Sequence, residues 1–280
     1  FIKKHPSSPY VREAHNKLAQ AYLNAQNTEM SIATFKKVIE LYPGSQEAKD
    51  ALANLENIYT DLGQTGEFFD YIKSKGNIHI SAERQDSISY KAVENKYLKG
   101  NCEMAIQGFQ DYLKNFPNGF FAAQAYFYKA ECEYGMNSYD QALVDYEALI
   151  NNYRTKDNEV ALRKAATILY NKNEYQRALA HFNGLLKCAS SDNNISYAYN
   201  GMMRCAFELK NYQEALEAAK GYLNSEQTDP ELKDDAQLIA GKSAFFLNDY
   251  LNAQKYLSVL SHKSTNDLSA EAAYYCALIE

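Results

Sequence analysis

The feature that most constrains this chain is an internal repeat with a period of 36 to 38 residues. Four segments align without gaps, and each carries a Tyr three residues before an Ala; they begin at Asn137, Asn173, Lys210 and Asn248. Adding three weaker copies, the anchor residues of the repeat are Ser31, Glu67, Ala105, Ala142, Ala178, Ala215 and Ala253. A fixed period of this length indicates similar units that stack on their neighbours.

Each unit has the pattern of two helices. Small residues recur twelve and seventeen positions before the anchor, and their spacing fits a helix rather than a strand. Four polar residues four positions before their anchors predict the start of the second helix: Asn101, Ser138, Asn211 and Asp249. Ser138 with Gln141 also matches a capping box. Pro43 and Pro117 predict the ends of second helices. Only 12 Gly and 5 Pro argue further against an all-β fold.

The spacing of small and aromatic residues within one unit resembles the tetratricopeptide repeat. In the best copy these residues are Ala125, Ala130, Tyr139, Ala142 and Tyr146, and other copies end in Pro. The resemblance implies an all-α fold, a right-handed α-solenoid of about seven antiparallel helix pairs. We expect a single array over 1–280, which opens on the tail of a preceding repeat and stops inside a further one. The predicted intervals are 1–6 for that tail, 7–44, 45–80, 81–118, 119–156, 157–192, 193–230 and 231–267 for the repeats, and 268–280 for the start of the next repeat.

The sequence shows no pattern typical of catalysis or cofactor binding. The five His residues are isolated, and no nucleotide-binding or nucleophile motif occurs. We therefore expect no enzyme activity, no catalytic residue, no metal and no cofactor. A net charge of −6 argues against a nucleic-acid partner, and no apolar run is long enough to span a membrane. The five Cys lie in no paired motif, which predicts buried packing for most of them and no intramolecular disulfide.

The resemblance places a partner-binding groove on a concave surface lined by the first helix of each pair. An aromatic residue lies eight positions before the anchor in six of the seven units. We call these residues the aromatic row: Tyr59, Tyr97, Tyr134, Tyr170, Phe207 and Phe245. Charged residues expected on the same face are Glu56, Glu94, Glu131, Arg163, Arg204 and Lys242. They predict a groove that is acidic toward the N-terminal units and basic toward the C-terminal ones. Alternatively, the aromatic row packs against neighbouring helices and the charges form an ordinary solvated face.

These patterns predict a non-enzymatic scaffold that binds a peptide or protein segment. The segments YPGSQEA and FPNGFFAAQA are similar to bacterial cell-envelope repeat proteins, and the stretch 71–97 resembles large exported repeat proteins of Bacteroides-like bacteria. The resemblance implies a periplasmic or outer-membrane-associated protein of a Gram-negative bacterium, with a cytoplasmic location as the alternative. Alternative functions are a helical component of an outer-membrane nutrient-uptake or assembly complex, or the non-catalytic part of a larger envelope enzyme. The oligomeric state stays open.

Overall fold

The computed structural model describes residues 1–76, 78–225, 230–263 and 267–279. Over these ranges it holds fifteen α-helices and no β-strand, which confirms the predicted all-α class. The helices are α1 Val11–Asn24, α2 Thr28–Leu41, α3 Gln46–Leu62, α4 Thr65–Lys75, α5 Ala82–Leu98, α6 Cys102–Asn115, α7 Ala122–Gly135, α8 Tyr139–Asn152, α9 Asn158–Asn171, α10 Tyr175–Cys188, α11 Asp192–Glu208, α12 Tyr212–Leu223, α13 Pro230–Phe246, α14 Tyr250–Ser261 and α15 Asp267–Ile279.

The chain divides into two compact units, Phe1–Cys132 and Glu133–Glu280. In the first unit α1 packs on α2, α2 on α3, and α5 on α6, while α1, α3 and α5 also lie side by side. In the second unit each helix from α8 onward packs on the next, and α9, α11, α13 and α15 lie side by side. The first helices of successive pairs therefore share a surface within each unit. The repeat boundaries given above stay a prediction.

Small residues fill the contact inside the helix pairs. Ala166 of α9 and Ala178 of α10 have no exposed surface, so their two helices can approach closely. In the first pair Ser31 takes the anchor position, and its hydroxyl donates a hydrogen bond to the Ala19 carbonyl at 2.9 Å. The anchors Ala105, Ala142, Ala215 and Ala253 are also fully buried.

The second repeat departs from the predicted register. Its anchor, Glu67, is exposed, whereas the next residue, Phe68, is fully buried. A carboxylate is costly to bury without a partner, and an aromatic ring gains free energy from leaving water. The unit marked by Glu67 therefore departs from the common pattern, and Phe68 supplies the core contact of α4 instead.

Two of the four predicted helix caps form side-chain hydrogen bonds. Asn101 Oδ1 and Asp249 Oδ1 each accept from the backbone N–H three residues on, at 3.2 Å. Ser138 stands directly before α8 but makes no such bond, so the predicted capping box is wrong. Asn211 stands before α12, and its amide donates instead to Glu214 at 2.7 Å.

Cys102 and Cys132 form a disulfide, and the prediction of none is wrong. Cys102 begins α6 and Cys132 lies near the end of α7, so the turn between these helices lies about midway between the two residues. The Cα atoms are 5.2 Å apart, a distance that a disulfide spans readily. Cys188, Cys205 and Cys276 are free. Burial raises the pKa of the Cys205 thiol to about 12, which fits the predicted packing role for this residue.

We predict that Ala178→Leu lowers the free energy of unfolding by about 1–3 kcal/mol, because a larger side chain overpacks the contact inside the pair. Ala180→Leu is the matched control, since Ala180 lies on the exposed face of the same helix. Chemical denaturation of both variants measures the effect. Equal stability of Ala178→Leu and the parent would contradict the role of the anchors.

We also predict that Cys102→Ser with Cys132→Ser lowers the free energy of unfolding by about 3–4 kcal/mol, the loop-closure value for a cross-link of this span. Cys188→Ser, at an exposed free thiol, is the control. Thiol labelling of the denatured, unreduced protein followed by intact-mass analysis should modify three cysteines, and five after reduction. Five modified cysteines before reduction would rule the disulfide out.

Candidate functional site

The aromatic row lies at the C-terminal ends of the first helices, and its two members in the first unit differ in exposure. Tyr59 is 3% exposed and packs against Phe68 with ring centroids 6.1 Å apart. The structure thus removes Tyr59 from the predicted groove. Tyr97 is half-buried and stacks on Tyr128 at 4.4 Å between centroids. Burial, together with the nearby Glu131 carboxylate, raises the pKa of Tyr97.

In the second unit the members of the aromatic row are all half-buried, and each meets the tyrosine that opens the following second helix. The ring edges and faces meet with centroids 5.2–5.7 Å apart in the pairs Tyr134–Tyr139, Tyr170–Tyr175, Phe207–Tyr212 and Phe245–Tyr250. Edge-to-face pairs of this kind are favourable beyond the area they bury. One side of each ring is therefore a packing contact, as the alternative interpretation predicted.

The turn between the helices of these pairs has a repeated polar contact. Asn137, Asn173 and Asn248 have φ of 59° to 61°, a left-handed conformation that Asn tolerates better than most residues. The tyrosine two positions on donates its hydroxyl hydrogen to the Asn Oδ1 in each turn, at 2.7, 2.7 and 3.1 Å respectively. Asn-x-Tyr at the turn is the repeated sequence signal that predicts this contact.

Most of the predicted groove charges have partners of opposite charge. Glu94 accepts from Lys91 at 2.8 Å, and Lys242 donates to Glu271 at 2.6 Å. Glu56 pairs with Arg84, and Arg204 pairs with Asp235. The Arg163 guanidinium lies 4.2 Å from the centroid of the Tyr197 ring and donates to Asn194. These pairs offset the predicted gradient of charge locally, and the gradient stays a prediction.

Two neighbouring cavities lie beside α9 in the second unit. The larger, of about 510 Å³, is lined by Tyr134, the turn residues 137–141 and the end of α9. The smaller, of about 210 Å³, lies between α9 and α11 and is lined by Tyr170, Tyr197, Asn200 and Arg204 among others. Thr167 and Asn171 line both cavities. Of the predicted site residues, the structure brings Tyr134, Tyr170 and Arg204 to these cavities, while Phe207 and Lys242 line neither.

In the first unit a cavity of about 300 Å³ brings Glu56 and Glu94 together with Arg84 and Lys91. Tyr90 also lines this cavity but is only 4% exposed. The pKa of its hydroxyl is raised, mainly by burial and secondly by the Glu94 carboxylate. Both Glu residues are paired, so this cavity offers balanced charge rather than the acidic surface predicted there.

Partly open cavities lined by rings, amides and a guanidinium can bind a peptide through stacking and hydrogen bonds. Among the described residues, no group of three or more His, Cys, Asp or Glu has the arrangement of a metal site. None of the described helices has the length and apolar character that a membrane crossing requires.

A tetratricopeptide repeat family model matches residues 16–45 and 124–155. These two segments are therefore similar to the tetratricopeptide repeat. Comparison with curated proteins gives no match. Similar solved structures include YrrB, described as a TPR protein with an unusual peptide-binding site, at 16% identity, TM-score 0.49, and coverage of 67% of this chain and 91% of YrrB.

Two further solved structures are similar over nearly the whole chain. Pseudomonas aeruginosa PilF has 13% identity, TM-score 0.41, and coverage of 95% of this chain and 97% of that one. PilW, described as a widely conserved type IV pilus biogenesis factor, has 15% identity, TM-score 0.41, and coverage of 95% and 100%. None of these likenesses bears on the function of this chain.

We predict that Lys242 and Glu271 are coupled by about 0.2–1 kcal/mol, the range measured for surface ion pairs. A double-mutant cycle with Lys242→Met and Glu271→Gln, followed by urea unfolding, isolates that coupling from other losses, such as the contact of the Lys242 ammonium with the Phe207 ring at 4.8 Å. Additive effects of the two substitutions would show that this ion pair contributes nothing to stability.

Proposed function

We propose that this chain is a non-enzymatic scaffold that binds a peptide or protein segment along its first helices. The observation that carries the proposal is the smaller cavity of the second unit, between α9 and α11. It places an exposed part of an aromatic-row ring, Tyr170, beside the polar side chains of Asn200 and Arg204. Protein binding is also what the tetratricopeptide repeat is typical of.

The geometry of stacked helices suits an extended ligand. Packed helices lie about 10 Å apart, and an extended peptide advances about 3.3 Å per residue, so about every third ligand residue could meet a new first helix. The smaller cavity offers such a ligand the Tyr170 and Tyr197 rings for stacking. The Asn200 amide and the Arg204 guanidinium can donate hydrogen bonds to ligand carbonyls. Tyrosines of this kind give rigid contact area with a polar end, as protein-binding surfaces often do.

The Cys102–Cys132 disulfide supports an oxidising compartment for this scaffold, because disulfides are rare in cytosolic proteins. We therefore favour a periplasmic or outer-membrane-associated location in a Gram-negative bacterium over the cytoplasmic alternative. Membership of the exported repeat proteins of Bacteroides-like bacteria remains part of the proposal. Detection of the oxidised pair in protein isolated from its native host, with thiols blocked at lysis, would support this location.

The groove is tested by selecting peptides from a random display library on the parent protein and measuring their affinity by calorimetry. We predict that Tyr170→Leu lowers the affinity for the selected peptides by about tenfold or more, because ring stacking and the hydroxyl are lost while apolar bulk is kept. Asn200→Ala should weaken them as well, since a hydrogen-bonding amide is lost.

The matched control is Tyr10→Leu, which removes an exposed tyrosine from the first unit. Its affinity should equal that of the parent. Two results would refute binding between α9 and α11. One is that no peptide is selected; the other is that Tyr170→Leu and Asn200→Ala both leave the affinity for the selected peptides unchanged.

A further inference from the structure

The stacking of Phe246 on Tyr212 shows how one turn of the second unit is covered. Their ring centroids are 4.6 Å apart with planes 20° from parallel, and Phe246 belongs to the next helix pair along the chain. Phe246 directly follows Phe245 of the aromatic row. The residue directly after the aromatic row is therefore placed to cover the turn tyrosine of the preceding repeat.

At the two preceding turns the covering residue is different. For Tyr175 the corresponding residue is Glu208. The pKa of the Tyr175 hydroxyl is raised, mainly by burial and secondly by the Glu208 carboxylate. For Tyr139 the corresponding residue is Asn171. Tyr139 and Asn171 both line the cavity of about 510 Å³. The slot that Phe246 occupies over Tyr212 is thus open over Tyr139, because a short amide replaces the ring.

The walls of this cavity define what can enter it. Tyr139 is 42% exposed, and its ring is held in place by the edge of Tyr134 at 5.2 Å and by its hydrogen bond to Asn137. Ile168 of α9 also lines the cavity and is buried. A planar apolar group could therefore stack on the exposed part of the Tyr139 ring without disturbing the turn.

The rim of the cavity is polar but carries balanced charge. The Lys172 ammonium donates to Asp140 at 2.6 Å, so one cation and one anion neutralise each other at the rim. Within the described part of the chain, the side-chain amides of Gln141 and Asn171 pair with no other group, and both can bond a peptide backbone. A balanced rim favours an uncharged ring over a charged side chain.

We propose that the cavity at Tyr139 binds an aromatic side chain of a partner segment, stacked on the Tyr139 ring as Phe246 stacks on Tyr212. The inference rests on the proposed protein-binding function, but the contact it invokes is with the turn tyrosine Tyr139; the two cavities share only Thr167 and Asn171. The cavity volume lies within the range of small-ligand pockets, about 300–1,000 Å³, and leaves room for the adjoining ligand backbone.

The probe for the test is N-acetyl-phenylalanine amide, titrated into the protein and followed by saturation-transfer NMR, with N-acetyl-leucine amide as the control probe. Asn171→Phe should fill the slot from within and weaken binding of the aromatic probe. Tyr139→Ala should also weaken binding, by roughly 2- to 12-fold, the range that aromatic pair energies correspond to. Tyr139→Phe keeps the ring and should bind the probe as the parent does.

Phe246→Ala supplies the complementary gain-of-site test, because it opens the equivalent slot over Tyr212. This variant should bind the aromatic probe at one additional site. A crystal structure of Asn171→Phe should show the new ring stacked on Tyr139, and far-ultraviolet circular dichroism with a thermal melt checks that each variant is folded.

Unchanged aromatic-probe binding in folded Asn171→Phe would overturn the inference, as would equal binding of the leucine and phenylalanine probes by the parent. Either result would leave the groove proposal standing if the selected peptides still depend on Tyr170. Conversely, specific binding of the aromatic probe, with selected peptides that depend on neither Tyr170 nor Asn200, would support the cavity at Tyr139 and refute binding between α9 and α11.

Discussion

The close contact of small residues between the two helices of a pair is the interaction on which the rest of the structure depends. Ala166 and Ala178 have no exposed surface, and the same is true of Ala19 and Ser31 in the first pair. Where the backbones approach this closely, larger residues on either side, such as Leu169 and Phe182, interlock around the contact and are buried in turn. The first helix then presents its remaining face to a neighbour or to solvent, and that face carries the candidate site.

In the second unit, the turn between the helices gives Tyr134, Tyr170 and Phe245 of the aromatic row two environments. On one side lies the turn tyrosine, fixed by its hydrogen bond to an asparagine in the left-handed conformation. These rings are only half-buried, so part of each one stays accessible at the surface. The question of packing or binding therefore has no single answer for the row. Tyr170 packs on Tyr175 and still lines a cavity.

Much of the fold could be predicted from the sequence because the same residue pattern occurs in several repeats, so an irregular residue in one copy does not hide it. The anchors from Ala105 to Ala253 were correct, since a small residue at a fixed spacing has one structural explanation in a helix pair. The unit with Glu67 departs from this pattern because a single repeat can shift its register by one residue when a better core residue, Phe68, stands beside the anchor. The prediction of no disulfide was wrong because the Cys102–Cys132 pairing depends on which helix faces meet, and the spacing of two cysteines carries no such information.

The candidate site was less predictable for a related reason. Sequence spacing places Tyr59 and Tyr97 in the same register, yet one is buried and the other half-buried, because exposure depends on the neighbouring side chains. The ion pairs of Arg204 and Lys242 likewise join first helices of neighbouring repeats. Partners of this kind lie about one repeat apart in sequence, so they appear only when the helices are stacked.

The packing of each helix mainly on the next one or two along the chain has a kinetic consequence. Few contacts join distant parts of the sequence, so little loop-closure entropy opposes the first steps of folding, and formation can begin at any repeat whose pair is locally stable. Loss of structure can be equally local. The α13–α15 end could open while α9 and α10 remain folded, so the amide protons of a single unit would exchange with solvent at rates that differ from pair to pair.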